Sequence, residues 1–470
     1  MEYRNLSGPL LMPFRPHFAL LLMWLWVPTP ALAQSVADLP PKPSLESTLP
    51  PDSALVQTRK WLKDHGVVFG VILTEDVLSN VQGGIKRGTI LSGKLETIVG
   101  FDLEKIAGVP GLTAYTNILQ LHGSRGPGRE LVGNLNTISN IEAIPTTRLS
   151  ELWLEQSFWD GKASFRAGQL VVDTEFLFSQ YFSFFNSSDW PTNPAVNIPS
   201  GGAAYPLSTP GLRLKVEPKP GMTVLVSLLN GDPAGPGLND PELRNRYGLN
   251  FRVNDPPFLI AEIQQSYNQA REAVGLAGGV RLGGWHHFGA FDDQRFDTAG
   301  MSLASPLSNR IAGRFRGNTG VYAVIDQQLY RPPGADANTG VLSFARVSAS
   351  PGDRNFSDWY LDGGLIFNGM IKSRPDDAFG VSFLYTHISP RINALDGDTA
   401  FFSGLPTVRR NYELSFEFNY SVFLKPGWTI QPNVAVVINP SGAPVNPDPR
   451  IPGERVRNAV LIGARSVLKY

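Results

Sequence analysis

Apolar and polar residues alternate along much of the chain, and the alternation is clearest over residues 411–424. Every second residue from Tyr412 to Leu424 is apolar or aromatic, whereas Asn, Glu and Ser dominate the positions between them. Successive side chains of a β-strand point to opposite faces, so this pattern predicts a strand with one apolar and one polar face. A helix would scatter the same apolar side chains around its axis, which argues against a helical segment.

Similar segments follow one another from residue 67 to the C-terminus, and some are separated by turn signals such as Asp160-Gly161. The pattern predicts strands over residues 67–74, 89–103, 112–122, 148–158, 162–170, 211–217, 222–229, 248–253, 257–265, 275–288, 318–330, 341–348, 357–368, 379–388, 411–424, 428–439 and 458–470. These are seventeen segments. A closed antiparallel barrel formed by one bacterial chain has an even number of strands, so we predict sixteen, with eighteen as the alternative.

The links between these segments fall into two length classes. Short links at 218–221 and 425–427 contrast with long links at 123–147, 171–210 and 389–410. Outer-membrane barrels combine short periplasmic turns with long outer loops, and an aromatic end such as Tyr470 suits the strand that closes a barrel. The predicted fold class is therefore all-β, a transmembrane antiparallel β-barrel.

The first 33 residues contain the parts of an export signal. Arg4 and Arg15 provide a basic start, Phe18–Val27 is an unbroken apolar run of ten residues, and Ala31-Leu32-Ala33 is a small-x-small cleavage site. Ten apolar residues are too few for a membrane-spanning helix, which takes roughly 20. We therefore predict a signal peptide over residues 1–33.

Residues 34–66 separate the predicted signal peptide from the predicted barrel domain, residues 67–470. They begin with a stretch rich in Pro and Ser. Within residues 52–65 the spacing of Leu55, Trp61 and Leu62 predicts a short amphipathic helix.

Composition excludes several function classes. Lys+Arg and Asp+Glu both number 41, and a neutral chain lacks the basic surface that nucleic-acid binding requires. The chain contains no cysteine, which excludes disulfides, thiolate metal ligands and cysteine nucleophiles. The mean hydropathy of −0.09 suits a barrel, because lipid-facing and lumen-facing residues cancel in the average.

The long link 171–210 is rich in aromatic residues, among them Phe182, Phe185 and Trp190. Links of this length usually have a function or are mobile. One hypothesis is that part of it folds into the barrel and narrows the pore. A mobile outer loop is the alternative.

Several short motifs resemble those of the carbohydrate-selective porins of the OprB family. They are NVQGGIKRG at 80–88, DLEKIAGVPG at 102–111, TRLSELWLEQ at 147–156, RAGQ at 166–169, GNTGVYAVIDQQLY at 317–330, SPGDRN at 350–355 and RPDD at 374–377. Each motif alone has low specificity, but together they occur in order along the chain. One departure is that Tyr470 stands where many outer-membrane barrels end in Phe, although the aromatic ring is kept.

The resemblance implies a bacterial outer-membrane porin that passes monosaccharides, glucose among them, by passive diffusion into the periplasm. It implies no cofactor. The partners that it implies are monosaccharides, outer-membrane lipid and, if the chain does not act singly, the other chains of a homotrimer.

A pore that favours sugars should offer charged hydrogen-bonding groups of both signs together with aromatic rings. Strand parity selects side chains that alternate with apolar ones, as Glu151, Trp153 and Glu155 do with Leu152 and Leu154. The predicted pore-lining residues are Glu151, Trp153, Glu155, Arg166, Arg213, Lys215, Arg281, Asp326, Gln328, Glu413, Glu417 and Arg465. For each of them the alternative role is to balance charges on the opposite wall without contacting sugar.

The sequence predicts neither a metal site nor a catalytic site. His286 and His287 are adjacent, so in a strand they point to opposite faces and make a poor metal pair. Glu151 and Glu155 would stand roughly 13 Å apart along a strand, beyond the roughly 5–9.5 Å of glycosidase carboxylate pairs. Two alternatives to a sugar porin stay open: a porin for organic or aromatic acids, and a secreted β-rich enzyme that acts on glycans.

Overall fold

Sixteen segments form strands in the computed structural model, which describes residues 48–50, 53–270, 273–335, 338–405, 407–447 and 454–470. The strands are β1 (Val67–Gly84), β2 (Gly88–Asp102), β3 (Leu112–Gly123), β4 (Thr146–Phe158), β5 (Ala163–Leu170), β6 (Thr209–Lys219), β7 (Met222–Asn230), β8 (Pro257–Tyr267), β9 (Gly278–Asp297), β10 (Ala312–Tyr330), β11 (Gly340–Ala349), β12 (Ser357–Asn368), β13 (Ala378–Ile388), β14 (Tyr412–Lys425), β15 (Trp428–Ile438) and β16 (Arg457–Lys469). The helices are α1 (Ala54–Asp64), α2 (Leu103–Ala107), α3 (Thr192–Asn197), α4 (Pro241–Arg244) and α5 (Pro390–Ser403). Short helical turns occupy Gly128–Val132, Phe182–Phe184, Pro199–Gly201 and Pro440–Gly442.

Each strand pairs antiparallel with its neighbours in the sequence, and β1 pairs with β16 to close the barrel. Along this seam Ile72 lies opposite Lys469 and Asn80 lies opposite Leu461. The backbone N–H of Tyr470 donates to the carbonyl oxygen of Val71 at 2.9 Å, so pairing continues to the last residue. The prediction of a transmembrane antiparallel barrel with sixteen strands is confirmed, and the alternative of eighteen strands is wrong.

The seventeenth predicted segment, 248–253, is not a strand. It lies in the link 231–256 between β7 and β8, where no neighbouring strand pairs with it. Its apolar side chains, including Phe251 and Val253, are exposed. The segment is held by local contacts instead, such as the 2.7 Å ion pair between Arg252 and Asp255. The alternation of residues 248–253 therefore reflects an apolar face that does not belong to the β-sheet.

Some strands are longer than their alternation predicts. β1 continues to Gly84 rather than ending at residue 74, and β9 continues to Asp297 rather than ending at residue 288. In β1 the prediction failed because Glu75 and Ser79 interrupt the apolar outward positions. Backbone pairing with β2 and β16 continues through them regardless.

The two ends of the barrel carry different links. At the end where β1 begins and β16 ends, the links are short, as at 159–162, 220–221 and 426–427. At the opposite end most links are long; two of them, 124–145 and 171–208, are named loop A and loop B below. This asymmetry is typical of outer-membrane barrels.

Loop B folds into the barrel, as one of the two hypotheses for this link proposed. Phe182 and Phe185 pack against Phe344 and Tyr360 on the inward faces of β11 and β12. Farther along the wall, Trp190 belongs to a second buried cluster with residues of β3, β4 and β7–β10. The core of the molecule is therefore the contact between loop B and the barrel wall.

Helix α1 precedes β1 and packs against it. The hydroxyl of Ser53 accepts a hydrogen bond from the backbone N–H of Val56 and caps the helix, while Leu55 and Trp61 are exposed. In the described part of the chain, no helix is long and apolar enough to cross a membrane. The predicted signal peptide, residues 1–33, and most of the Pro-rich stretch lie outside the described residues.

Candidate functional site

The predicted pore-lining residues lie on the inward faces of their strands. In β4, Leu152 and Leu154 are 48% and 51% exposed, whereas Trp153 is 3% exposed. In a barrel whose interior is filled by loops, exposed side chains point outward and buried ones inward. The same parity places inward Glu151, Glu155, Arg166, Arg213, Lys215, Arg281, Asp326, Gln328, Glu413, Glu417 and Arg465. Their direct contact with sugar stays a prediction.

A network of two arginines and two carboxylates lines the wall of β4, β5 and β6. Glu155 pairs with Arg166 at 2.7 Å and with Arg213 at 3.0 Å. Glu175 of loop B pairs with the same two arginines, at 3.4 Å and 3.0 Å. The two positive and two negative charges of the network balance. Glu175 was not predicted as a site residue because loop B is not a strand and shows no alternation of apolar and polar residues.

Trp153 is enclosed on both faces. Its indole stacks on Tyr115 with 4.8 Å between ring centroids, and the guanidinium of Arg166 lies 3.8 Å from its centroid. Two groups that both stack so closely on one ring must occupy opposite faces. The indole N–H donates to Glu151 at 3.3 Å. Trp153 therefore positions Arg166 and does not offer a free ring face to a sugar, contrary to the role that the sequence suggested for an aromatic residue here.

A second charged group lies on β2 and β3 and was missed by the sequence prediction of the site. Lys94 pairs with Glu96 at 3.3 Å, and the amide of Asn117 donates to Glu96 at 2.7 Å. The ammonium of Lys94 also lies 5.3 Å from the ring of Tyr205 in loop B. Both residues of the pair stand on the polar face of the predicted strand 89–103, so parity could have found them.

Loops A and B are held by carboxylates of the opposite wall. Glu417 accepts hydrogen bonds from the backbone N–H groups of Asn186 and Ser187, at 2.8 Å and 3.0 Å. Glu413 accepts from those of Leu135 and Asn136, at 2.7 Å and 2.6 Å. The lone pairs of both predicted pore residues are thus engaged by loop backbone, so we expect them to position the loops rather than to contact solute.

Asp326 and Arg465 make similar links. The carboxylate of Asp326 accepts from the backbone N–H of Gln180 at 3.0 Å and pairs with Arg281 at 2.9 Å. Arg465 pairs with Asp76 at 2.7 Å and donates to the side chain of Asn140 in loop A at 2.8 Å. Each pair therefore joins the wall to an inner loop.

The two remaining predicted residues, Lys215 and Gln328, lie nearer the end of the barrel where β1 begins and β16 ends. Lys215 pairs with Glu217 at 3.0 Å. Gln328 accepts from the backbone N–H of Ala277 at 3.1 Å and donates to the carbonyl oxygen of Thr339 at 2.8 Å. Gln328 is buried and links the turn that precedes β9 to the turn that precedes β11.

A cavity of about 180 Å³ opens between loop A, loop B and the link 231–256. Trp190 and Tyr205 contribute aromatic rings to its lining, and Arg129, Asp189 and Asp240 contribute charges. This combination of aromatic rings and charged groups of both signs is the one expected of a pore that favours sugars. Trp190 belongs to the aromatic-rich link that one hypothesis placed in the pore, but none of these residues was predicted to line it, because loops show no alternation that indicates which way a side chain points.

Burial raises the pKa of three carboxyls in the inner loops. The pKa of Asp189 rises to about 7, that of Glu142 to about 7 and that of Asp173 to about 6. Backbone N–H groups oppose these shifts; Trp190 donates to Asp189 at 2.7 Å and Tyr205 donates to Asp173 at 2.7 Å. All three groups therefore titrate near neutral pH.

No group of three potential metal-binding side chains occurs among the described residues. His286 and His287 point to opposite faces of β9, as expected for neighbours in a strand. His286 bonds to the hydroxyl of Thr319 at 2.8 Å, and His287 bonds to the carbonyl oxygen of Gly231 at 3.0 Å.

Comparisons with known proteins agree with this architecture. Residues 86–470 match the model of the family described as carbohydrate-selective porin, OprB family. Porin B of Pseudomonas aeruginosa is 22% identical over 429 residues, which cover 87% of this chain and 88% of that protein. The putative porin QuiX of Acinetobacter baylyi is 21% identical over 418 residues, covering 85% and 90% of the two chains.

Two solved structures have the same fold. The high-pH structure of Pseudomonas putida OprB matches with a TM-score of 0.76 and 22% identity, covering 88% of this chain and 97% of that one. The low-pH structure matches with a TM-score of 0.54 and 16% identity, covering 90% and 98%. Because the family match extends over most of the chain, this protein belongs to the carbohydrate-selective porin (OprB) family and is a β-barrel channel of the bacterial outer membrane.

Proposed function

We propose that the channel lets monosaccharides such as glucose diffuse passively into the periplasm. The observation that supports this is the charge-balanced network of Glu155, Arg166, Arg213 and Glu175 on the lumen wall. A sugar hydroxyl can donate to a carboxylate and accept from a guanidinium, so paired charges suit a neutral polyol. Contacts of this kind must stay weak enough to release the solute.

A pore for organic or aromatic acids is the second candidate. Such a pore would need an excess of basic side chains, whereas loops A and B place the carboxyls of Glu142, Asp173 and Asp189 in the interior. These acids would repel an anionic solute once they ionise. The third candidate, a secreted glycan-acting enzyme, is disfavoured because the family and the fold point to a channel.

The proposal is tested by liposome swelling with the purified, refolded protein. We expect glucose and xylose to enter faster than gluconate and an amino acid of similar size. We expect Arg166→Ala and Trp153→Ala to slow glucose entry several-fold, because each removes or releases the guanidinium beside Glu155. Arg457→Ala is the matched control, since Arg457 is an exposed arginine whose partner Glu454 lies beside it.

Each other outcome of the swelling assay contradicts part of the proposal. Equal entry of all solutes would leave a channel without sugar selectivity. Faster entry of gluconate would favour the organic-acid candidate. No entry of any solute would contradict the channel function itself.

Ion selectivity should depend on pH. As the pH rises through about 6 the carboxyl of Asp173 loses its proton, and through about 7 those of Asp189 and Glu142 follow, so the interior gains negative charge. The preference for K⁺ over Cl⁻ should therefore increase from about pH 5 to about pH 8. Reversal potentials in a KCl gradient measure this preference. The double variant Asp189→Asn/Glu142→Gln should flatten the dependence, and a flat profile in the wild type would contradict the prediction.

We propose that residues 1–33 act as a cleaved export signal, that residues 34–66 precede the barrel domain, and that the barrel is residues 67–470. Outer-membrane lipid is the proposed partner of the outward face, whose exposed residues include Leu212, Leu214 and Ile325. A homotrimer and a single chain both remain candidate assemblies.

A further inference from the structure

Helix α1 lies beside the outward face of the barrel. The guanidinium carbon of Arg59 stands 5.4 Å from the ring centroid of Phe69, and Nη2 of Arg59 donates to the carbonyl oxygen of Phe69 at 3.4 Å. Asp76, farther along β1, points inward, because it pairs with Arg465. Side chains alternate between the two faces, and the pairing with β2 has no bulge between Phe69 and Asp76, so Phe69 points outward. The helix therefore packs on the side of β1 that meets the membrane.

The contact with Phe69 places α1 at the depth of the membrane interface. β1 begins at Val67, two positions before Phe69, at the end of the barrel that carries the short links. The same end has exposed aromatic residues on several other strands and links, namely Phe158, Trp159, Tyr267 and Tyr470. Outer-membrane barrels carry such aromatic girdles where hydrocarbon meets head groups, and their short links mark the periplasmic side. The helix thus lies between the inner leaflet and the periplasm.

Helix α1 has an apolar side and a basic side, and it touches the barrel along the boundary between them. An α-helix turns about 100° per residue, which places Leu55 and Trp61 within one arc of about 120°. Lys60 and Lys63 fall in the opposite arc, and Arg59 lies roughly 90° from the centre of each arc. Leu55 and Trp61 are 58% and 57% exposed, although both side chains are large and apolar.

This order of sides is typical of a helix that lies flat in a membrane interface. Such helices bury an apolar side with Trp or Leu at the boundary of the acyl chains and keep Lys and Arg on the other side. With the wall at Arg59, the apolar arc of α1 can turn toward hydrocarbon while Lys60 and Lys63 stay in water. The helix contains three basic residues and one acidic residue, Asp64, so its polar side is attracted to anionic head groups.

The link between β2 and β3 adds a second apolar patch beside α1. The backbone N–H of Asp102 donates to the carbonyl oxygen of Gly66, which follows the helix, at 2.7 Å. A Cβ atom at Gly66 would lie 3.0 Å from side-chain atoms of both Lys105 and Ile106, so α2 stands close to the end of α1. Ile106 and Val109 in this link are exposed. Two neighbouring segments outside the strands therefore expose apolar side chains at the same end of the barrel.

We propose that α1 binds the phospholipid surface of the inner leaflet. Leu55 and Trp61 enter the boundary of the acyl chains, and Lys60 and Lys63 contact anionic phosphate head groups. The surface continues the outward face of β1, because the helix touches that face at Phe69. The proposal extends the lipid contact proposed for the barrel to a segment outside it, and it does not depend on which solute the channel passes.

Fluorescence quenching tests the depth of the helix, because the chain contains no cysteine of its own. Leu55→Cys and Trp61→Cys place a thiol on the apolar side, and Lys60→Cys places one on the basic side. Each purified variant is labelled with the fluorophore NBD and refolded into liposomes. We expect phospholipid with a nitroxide near the head of its acyl chain to quench the labels on the apolar side several-fold more strongly. Iodide on both sides of the membrane should quench them in the reverse order.

A label at Ile325→Cys, on the outward face of β10, separates failure of this proposal from failure of the lipid contact of the barrel. If the nitroxide quenches Ile325→Cys but affects Trp61→Cys no more than Lys60→Cys, the proposal for α1 is overturned. The apolar side would then be free for a partner in the periplasm. If the nitroxide quenches none of the labels, the lipid contact of the barrel is contradicted as well. Heat-dependent gel migration shows that each labelled barrel is folded.

The role of the lysines is tested by changing the head groups. Attraction of one lysine to an anionic surface shifts membrane binding roughly five-fold. In the Trp61→Cys chain, nitroxide quenching should be stronger in liposomes that contain phosphatidylglycerol than in phosphatidylcholine alone, and Lys60→Gln/Lys63→Gln should remove this difference. Lys162→Gln/Lys219→Gln removes two exposed lysines at the same end of the barrel and should preserve it. Equal quenching in both lipids, or the same loss in the control, would overturn the proposed head-group contact.

Discussion

Replacing Arg346 with Met should destabilise the protein by about 3–5 kcal/mol, because it leaves the buried carboxylate of Asp362 without its positively charged partner. Arg346 on β11 and Asp362 on β12 are almost fully buried and pair at 2.6 Å. The Nη1 atom of the same guanidinium donates to the carbonyl oxygens of Leu177 and Asp189 in loop B, both at 3.0 Å. One substitution therefore removes an ion pair and two anchors of loop B.

A double variant separates these two contributions. In Arg346→Met/Asp362→Leu no unpaired charge remains, so we expect most of the lost stability to return, as for other buried pairs replaced by apolar residues. The anchors of loop B stay absent in both variants. Arg457→Met is the control for an exposed pair, which should cost no more than about 1 kcal/mol. Unfolding in urea, monitored by the heat-dependent change in gel migration, measures the differences in the free energy of unfolding between these variants. A single variant as stable as the control would contradict the prediction.

The barrel strands were largely predictable, because one face meets lipid and the other meets water or polar loops. Residues 411–424 show this alternation without interruption, and β14 covers Tyr412–Lys425. The failures have physical causes. Residues 248–253 alternate without a partner strand, and the second half of β1 was missed because Glu75 places a carboxylate where lipid contact would require an apolar residue.

The interior was predictable only in part. The alternation of side chains between the two faces of a strand identified inward residues such as Glu155 and Arg166, because it depends only on the sequence of that strand. It could not identify Glu175, Trp190 or Tyr205, which belong to loop B and face the lumen through irregular backbone. The partners of those loops lie far away in the sequence, so no local pattern encodes them.

The positions of loops A and B also explain why charged residues on different strands have different roles. On β4, β5 and β6 the side chains pair with one another and with Glu175. On β14, Glu413 and Glu417 bind backbone N–H groups of loops A and B. The backbones of loops A and B are thus held at β14, whereas β5 and β6 hold the side chain of Glu175, and we infer that the solute path runs past the charged side chains of β4, β5 and β6.

The anchor at Glu417 can be tested by replacing a single oxygen atom of its carboxylate. Glu417→Gln keeps the shape of the side chain but replaces one acceptor oxygen with an NH₂ group, which then faces the backbone N–H of Asn186 or Ser187. Hydrogen bonds to charged groups contribute about 1.5–3 kcal/mol each, so the anchor should weaken by about 3 kcal/mol. That loss shifts the ratio of docked to released loop B by roughly 100-fold.

Release of loop B should widen the channel. We expect Glu417→Gln to raise single-channel conductance, to add current fluctuations as the loop docks and leaves, and to let disaccharides enter liposomes almost as fast as glucose. Glu104→Gln makes the same chemical change in α2, outside the lumen, and should leave all three quantities unchanged. If Glu417→Gln conducts and discriminates like the wild type, the aromatic contacts of Phe182 and Phe185 hold loop B without this carboxylate. The polar anchors would then serve folding alone, and pore size would be set by the packing of loop B against β11 and β12.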